Sequence, residues 1–177
     1  MELTTIWQML NQAYLGTDSY GAKMYIRIYA RYTEQNENNL TTTVQYQARS
    51  YFDKNWSIYD RQSNGSISGT GATTSSFSRS ADYTGGEISL ATIEGTVNHD
   101  ENTGEASITA SATLNFPNWG WSATASGSAT LPTIETSTLR IGVNGSWKKA
   151  TPYLGVNGVW KKCKAYLGVN GSWKKGE

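Results

Sequence analysis

The sequence predicts an all-β protein, an antiparallel sandwich followed by a C-terminal array of small β-hairpins. Three observations lead there. Tyr and Trp (11 and 7) far outnumber Phe (3), and Gly is abundant at 18 residues, a composition that suits strands joined by many turns. Runs of period-two alternation follow one another from residue 22 without intervening helical patterns. The tail repeats Asn-Gly pairs between apolar residues, the strongest short-range signal for a hairpin.

The first element is predicted to be a short helix over residues 4–15. Its apolar residues recur at the i, i+3, i+4 and i+7 positions of one helical face, and they are Leu3, Ile6, Trp7, Leu10 and Tyr14. A helix this short is marginal alone in water, so its apolar stripe must dock on something. Two uses stay open: packing on the protein's own sheet, or an attachment and self-association arm built on Ile6, Trp7, Leu10 and Tyr14.

The central part of the chain is predicted to be the sandwich. Alternation places Met24, Ile26, Ile28, Ala30 and Tyr32 on one face of a first long strand. A second strand does the same with Val44, Tyr46, Ala48, Ser50 and Phe52. Further strands fit 56–61, 65–70, 74–80, 87–97, 105–114 and 120–131, with turns such as Ser63-Asn64-Gly65 between them. Small residues dominate 105–131, so we expect Tyr46, Phe116 and either Trp119 or Trp121 to fill most of a thin core.

The tail carries three copies of one unit. Trp147, Trp160 and Trp173 recur every 13 residues, and each follows an Asn-Gly pair. Asn-Gly predicts a type I′ turn, which needs positive φ at both central residues. A hairpin this small cannot bury its own Trp, so we expect the copies to stack and cover one another's aromatic rings. The candidate contact residues are Trp147, Trp160, Trp173, Tyr153, Tyr166, Lys148, Lys149, Lys161, Lys162, Lys174 and Lys175.

Charge divides the chain near Thr138. Residues 1–138 carry 7 basic and 13 acidic side chains, whereas residues 139–177 carry 8 basic and 1 acidic. The predicted division is an arm over 1–20, a sandwich over 21–138 and three hairpin repeats over 139–177. Three interpretations of the tail stay open: hairpin packing with lysines keeping exposed edges soluble, aromatic platforms for sugar rings or bases, or lysines that hold a phosphate-rich polymer.

Catalytic chemistry is not expected. The single histidine, His99, lies in a predicted solvated turn, and the single cysteine, Cys163, allows no intrachain disulfide. No metal site and no cofactor are predicted. The carboxylates Asp53, Asp60 and Glu94 are scattered, so a glycan-degrading enzyme with paired carboxylates remains a remote alternative. Because the N-terminus lacks the basic and apolar regions of a signal peptide and no apolar run could span a membrane, we expect synthesis in a cytoplasm.

Two segments carry a family resemblance. The alternating stretch "AKMYIRIYARYTEQNENNLTTTVQYQARSYF" resembles the first strand pair in minor structural proteins of tailed phages of Gram-positive bacteria. The segment "GWSATASGSATLPTI" is similar to the motif "SGSATLxxIPR" that closes their immunoglobulin-like domains, although Glu135 stands where that motif has Pro-Arg. Tails of the "VNGxWKK" kind also occur in phage virion proteins.

The resemblance implies an immunoglobulin-like β-sandwich in a virion component, namely a tail, baseplate or head-fibre protein made in the host cytoplasm. The partners it implies are other virion proteins and further copies of the chain, with a trimer favoured. A host cell-wall glycan or teichoic acid is the alternative partner, in an adhesin module built on the tail. Neither a membrane nor nucleic acid is expected as a partner.

Overall fold

The structure is a computed structural model that describes residues 1–54, 58–83, 85–136, 140–150, 152–163, 165–169 and 172–175. It is all-β and antiparallel, as the sequence predicts. The strands of the body, in chain order, are β1 (Gln8–Thr17), β2 (Lys23–Asn36), β3 (Thr41–Phe52), β4 (Ile58–Gly69), β5 (Ser75–Tyr83), β6 (Gly86–Asn98), β7 (Ser107–Phe116) and β8 (Trp121–Thr130). None of the described residues belongs to a helix long and apolar enough to cross a membrane.

These eight strands form two four-stranded sheets. The first sheet has the order β1-β2-β3-β6, and the second has the order β5-β4-β7-β8. Alternation sets their inner faces, because successive side chains of a strand point to opposite sides. In β3 every second residue from Thr42 to Phe52 is buried. The two inner faces therefore share one core in a β-sandwich-like architecture.

The core is filled by a few large rings among many small side chains. Tyr46, Phe52, Tyr83 and Phe116 are at most 2% exposed, so the predictions for Tyr46 and Phe116 are confirmed. The Tyr46 ring lies against Gly69, where an added Cβ would come within 2.5 Å of ring atoms. Its hydroxyl donates to the Thr70 carbonyl at 2.8 Å, which satisfies the buried polar group.

Trp119 and Trp121 line the side of this core. Trp119 belongs to a 3-10 turn at Pro117–Trp119 that links β7 to β8. Both indoles are partly buried and pack against the core residues. The Phe116 ring lies 5.7 Å from Trp119 and 6.4 Å from Trp121 between centroids. Both tryptophans, rather than one of them, thus contribute to the core.

The predicted N-terminal helix is wrong, because this segment forms strand β1. It pairs with β2 from Gln8↔Ala30 to Thr17↔Lys23. Two register shifts interrupt the pairing, between Met9 and Asn11 and between Tyr14 and Gly16. Such irregularities insert an extra residue and move the following side chains to the other face. The apolar spacing consequently departs from period two and imitates a helical face, while the ladder to β2 decides the backbone.

The N-terminal segment before β1, together with β1, closes one side of the sandwich against β8. The Leu3 amide donates to the Thr130 carbonyl at 2.8 Å, and the Thr130 amide donates to the Met1 carbonyl at 3.0 Å. Leu3 is fully buried. At Gly16 an added Cβ would come within 2.3 Å of the Trp121 ring. The absence of a side chain at Gly16 therefore lets the two edges approach.

The turn predicted at Ser63-Asn64-Gly65 is wrong, since these residues lie inside the single strand β4. Asn64 and Gly65 pair with β5 on one side and with β7 on the other. An added Cβ at Gly65 would come within 2.1 Å of the Thr113 carbonyl oxygen. This glycine serves a close approach of neighbouring atoms rather than a turn, so the predicted strands 56–61 and 65–70 are one strand from Ile58 to Gly69.

Three two-stranded hairpins follow the body. They are β9 (Arg140–Val143) with β10 (Ser146–Lys149), β11 (Tyr153–Val156) with β12 (Val159–Lys162), and β13 (Tyr166–Val169) with β14 (Ser172–Lys175). Asn144 and Gly145 have φ of 50° and 76°, and Asn157 and Gly158 have φ of 51° and 77°. The predicted positive φ values are confirmed at these two turns; the third pair, Asn170-Gly171, lies outside the described residues.

Candidate functional site

The hairpin formed by β11 and β12 is the best described of the tail repeats. Its register pairs Tyr153 with Lys162, Leu154 with Lys161 and Gly155 with Trp160. The Cys163 amide donates to the Pro152 carbonyl at 2.9 Å and extends the ladder by one step. The same Gly-opposite-Trp register recurs in the other two hairpins. The sequence repeat is therefore a repeat of cross-strand pairs.

Apolar side chains are exposed on both faces of this hairpin. Directly opposite residues share a face, so Trp160 lies beside Tyr153 on one face and Val159 lies beside Leu154 on the other. Trp160 is 74% exposed, Leu154 and Val159 are 60% each, and Tyr153 is 56%. The indole lies along Gly155, where an added Cβ would be 3.7 Å from the ring. Gly155, the residue opposite Trp160, has no side chain that could shield the indole from solvent.

This exposure overturns one expectation, that neighbouring repeats within one chain cover one another's indoles. Of the three tail tryptophans, Trp160 is the one whose side chain lies in the described part of the chain. At Trp160 the prediction is wrong. A turn of two residues joins the strands of the first hairpin and of the second, and no strand in the described part of the tail pairs with another hairpin. The linkers between repeats leave the hairpins as separate two-stranded sheets. Within the described part of the chain, the Trp160 ring therefore stays open to solvent.

The remaining tail residues of the prediction are placed unevenly. Lys161 is exposed, and Tyr166 is 54% exposed at the start of β13. The backbones of Trp147, Trp173 and the lysines of their strands follow the ladders. Outside the described part lie the side chains of Trp147, Lys148, Lys149, Lys162, Trp173, Lys174 and Lys175.

The four residues proposed for an assembly arm do not form one stripe. Ile6 is 70% exposed and Tyr14 is 53% exposed. Leu10 packs towards the core, within 2.8 Å of the position a Cβ at Gly127 would take. Trp7 lies under the Arg31 guanidinium, 4.6 Å from ring centroid to Cζ. Strand geometry sends these side chains to opposite sides of the first sheet.

The outer face of the first sheet is a second candidate surface, rich in rings and charges. It is the side of β1, β2, β3 and β6 that points away from the core. On β2 it presents a ring or a cation at every second position. Its aromatic and charged residues are Trp7, Tyr14, Lys23, Tyr25, Arg27, Tyr29, Arg31, Glu34, Arg49, Tyr51, Glu87 and Glu94.

Glu87 is the electrostatic centre of this face. Arg27 donates to one of its carboxylate oxygens at 2.6 Å, and Arg49 donates to the other at 2.9 Å. The Tyr29 hydroxyl also donates to Glu87. Three donors from two neighbouring strands thus converge on one carboxylate, and charge-assisted bonds of this kind are the strong ones.

The titration of these groups follows from that geometry. Partial burial alone would raise the pKa of Glu87, but the bonds from Tyr29, Arg27 and Arg49 together hold that pKa below its ordinary value. Burial raises the pKa of Tyr29, and the bond to Glu87 raises it further. For Arg27, burial acts to lower the pKa, but the bond to Glu87 and the charge interactions with Tyr29 and Glu87 together raise it above its ordinary value. At neutral pH Glu87 is therefore ionised and Arg27 is protonated.

Guanidinium groups stack on the rings of the same face. The Arg27 guanidinium carbon lies 3.5 Å from the centroid of the Tyr51 ring, and that of Arg49 lies 4.4 Å from the Tyr29 ring. Arg31 donates through Nε and Nη2 to the Gln45 side-chain oxygen at 3.0 and 2.9 Å. These contacts fix long side chains that would otherwise lose conformational entropy on binding a ligand.

Sequence reasoning missed this face as a candidate site, although it placed the residues correctly. The predicted inward positions of Met24, Ile26, Ile28 and Ala30 are confirmed, and they leave the alternating Tyr25, Arg27, Tyr29 and Arg31 on the side away from the core. The signal that could have found it is chemical. A solvent-facing strand side normally carries mixed small polar residues, and arginine and tyrosine are the types that concentrate in binding surfaces.

The prediction of a solvated His99 is wrong. His99 is 6% exposed, its Nδ1 lies 2.8 Å from the Gly104 carbonyl, and its Nε2 lies 2.7 Å from the Thr42 hydroxyl. Since a carbonyl only accepts, Nδ1 donates, and a neutral ring then accepts from Thr42. This histidine ties the loop after β6 to β3. Among the described residues, no three His, Cys, Asp or Glu side chains are grouped to hold a metal ion.

The scattered carboxylates keep structural roles where they are described. Asp53 accepts from the Lys23 amide at 2.8 Å, and Glu94 accepts from the Gln45 side chain at 2.9 Å. The Asp60 side chain lies outside the described part. Cys163 is partly exposed at the end of β12 with a free thiol. The structure does not bring Asp53 and Glu94 together, because Asp53 follows Phe52, which pairs with Gly86, whereas Glu94 pairs with Gln45 further along the two strands.

In comparisons with known proteins, no family model matches the chain, and no curated protein matches it either.

Proposed function

We propose that this chain is a structural component of a phage virion, in the tail, baseplate or head fibre, and that it acts by assembly. The observation that carries the proposal is the uncovered middle hairpin, with Trp160 at 74% exposure. A two-stranded hairpin is marginally stable by itself in water, and contiguous exposed apolar groups are typical of interaction sites. Contacts with other virion proteins or with further copies of the chain, in a trimer, would supply the missing cover.

We also propose that the body is an immunoglobulin-like sandwich. Strands β2-β3-β6 face strands β5-β4-β7-β8, which is the order that A-B-E facing C′-C-F-G takes in such domains, with β1 as an added edge strand. Chain crossings between the sheets after β3, β5 and β6 fit Greek-key connections. This connectivity supports the resemblance to virion proteins without identifying a partner.

The test compares the wild-type chain with the triple variant Trp147→Ala, Trp160→Ala, Trp173→Ala. Sedimentation should show an oligomer for the wild type and a shift towards monomer for the variant, because three indoles lose their cover on a neighbour. The triple variant Thr4→Ala, Met9→Ala, Tyr20→Ala is the control for exposed residues of the body. A wild-type chain that stays monomeric and never enters particles would refute the proposal.

A second candidate is adhesion of the tail to a host cell-wall glycan or teichoic acid. One observation favours it: Trp160 and Tyr153 are exposed side by side, and Lys161 is exposed on the same hairpin. Binding of particles to purified cell walls should then fall in the tryptophan variant while particle assembly stays intact. Unchanged wall binding would leave assembly as the function of the tail.

A further inference from the structure

The outer face of the first sheet differs in charge from the rest of the body. Among its residues are four basic side chains and three acidic ones, whereas the remainder of residues 1–138 carries 3 basic and 10 acidic residues. The opposite outer face, on β7 and β8, presents hydroxyls that bond to one another, such as Thr113 with Thr124 at 2.8 Å and Ser126 with Ser111 at 2.9 Å. One face of an acidic body is therefore suited to an anionic partner.

The arrangement of groups on this face suits an extended partner. On β2 the order is Lys23, Tyr25, Arg27, Tyr29, Arg31, so rings and cations alternate about every 7 Å along a strand. The row spans roughly 26 Å. Across the strands, the Tyr14, Tyr25 and Tyr51 rings follow one another with centroid distances of 5.8 and 6.2 Å. An extended partner could place its flat apolar groups on the tyrosine rings and its negative groups beside the cations, at regular intervals along the strand.

We infer that the outer face of the first sheet binds a glycan chain that carries phosphate or carboxylate groups. Sugar rings have apolar faces that pack on exposed aromatic rings, and Tyr14, 53% exposed at the edge of the row, offers such a ring. Lys23 is exposed beside it and supplies a cation. Arg27 and Arg49 are already paired with Glu87, so they fix the rings in place. The excess of positive charge is small, which suits a glycan held by ring contacts and a few charges better than a nucleic acid held mainly through its phosphates.

This inference concerns the body and stands apart from the proposed assembly through the tail. It is tested on the full chain by affinity electrophoresis in native gels that contain polygalacturonate, hyaluronan or wall teichoic acid. Dextran serves as the uncharged glycan, and oligothymidylate serves as the polyanion without pyranose rings. We expect retardation by at least one acidic glycan, reduced retardation at high salt, and no retardation by dextran.

Matched variants place the binding on the face. Tyr14→Ala and Lys23→Gln should each weaken binding by about 3- to 10-fold, as expected for one lost ring contact or one lost charge. Tyr14→Phe should restore the ring contact. Tyr166→Ala and Lys161→Gln make the same chemical changes at exposed tail positions (Tyr166 is 54% exposed) and should leave binding unchanged.

Four results would overturn the inference. They are no retardation by any of the three acidic glycans, equal retardation by dextran, tighter binding of oligothymidylate than of any glycan, and loss of binding in the tail variants alone. The last result would place glycan binding in the tail. The two proposals can also fail separately. If the chain is monomeric but an acidic glycan retards it, and Tyr14→Ala and Lys23→Gln weaken that retardation, then assembly through the tail is refuted and glycan binding by the outer face is supported.

Discussion

Glu87 shows how one side chain can organise a surface. It accepts from Arg27 and Tyr29 on β2 and from Arg49 on β3, while it belongs to β6. Removing the carboxylate charge would leave two guanidinium groups on the same face without a shared counter-ion. Neither the position of Glu87 nor its role was predicted from sequence, because residues 27, 49 and 87 meet only through the strand register.

The substitution Glu87→Gln is expected to lower the free energy of unfolding by about 1–2 kcal/mol at neutral pH. The folded-state pKa of Glu87 lies below its ordinary value of 4.5. Its stabilisation is therefore present above the unfolded-state pKa and lost as the pH falls through the folded-state pKa. Urea unfolding at a series of pH values should give a flatter acidic limb for the variant than for the wild type. Glu94→Gln, on the same face, is the control, and identical acidic limbs for Glu87→Gln and wild type would contradict the expectation.

Tyr46 carries the opposite dependence on pH. Burial raises its pKa above the ordinary value of 10.0, although the bond to Thr70 acts to lower it. The folded chain thus keeps a proton that the unfolded chain releases, so its contribution is complete below pH 10 and falls as the pH rises beyond it.

We predict that Tyr46→Phe removes part of the alkaline loss of stability, at a cost of about 1 kcal/mol near neutral pH for the lost bond to Thr70. Urea unfolding between neutral and strongly alkaline pH would measure both effects. Tyr83, whose pKa burial also raises, should account for part of the loss that remains. A variant with the same alkaline slope as the wild type would show that Tyr46 does not titrate in this way.

At the scale of elements, long strands were predictable and irregular ones were not. The alternation in β2 and β3 is uninterrupted over the core-facing residues, and the predicted inward residues Met24, Ile26, Ile28 and Ala30 are all fully buried. Strand β1 fails as a prediction because two register shifts break its period. The hairpin turns were predictable because Asn-Gly specifies the backbone conformation locally. Gly65 was wrongly predicted to form a turn, because the atoms that leave no room for a side chain there belong to residues distant in sequence.

Gly16→Ala is expected to destabilise the contact between β1 and β8 by about 1–3 kcal/mol. The new Cβ would fall 2.3 Å from Trp121 ring atoms, so the indole or the strand must move. Thermal unfolding should show a lower Tm, and Trp121 fluorescence should change in the folded state. Thr17→Ala, at the next position of β1, removes an exposed side chain and is expected to change Tm much less. An unchanged Tm for Gly16→Ala would mean that the edges are not in close contact.

At the scale of the whole molecule, the two parts of the chain are stabilised differently. The body has one core to which both sheets contribute, for example through Ile28 on β2 and Leu114 on β7, both fully buried. The hairpins have no comparable core among their described residues, and their exposed apolar groups are the basis of the assembly proposal. The boundary between the two parts could be predicted from the change in charge and from the 13-residue repeat. The exposure of Trp160 could not, because it depends on whether the hairpins pack on one another in three dimensions.

We therefore predict one cooperative unfolding transition for the body that is insensitive to the tail. Ile28→Ala and Leu114→Ala should each lower the free energy of unfolding by about 2–5 kcal/mol, and each should move the same single transition, because the sheets lose the same core together. Under conditions where the chain is dissociated, Trp160→Ala should leave that transition in place, because a 74% exposed indole has few contacts to lose. Calorimetry with circular dichroism would measure both. Separate transitions for the two sheets, or a Tm lowered by Trp160→Ala in the monomer, would mean that the core does not unite the sheets or that the hairpin packs on the body.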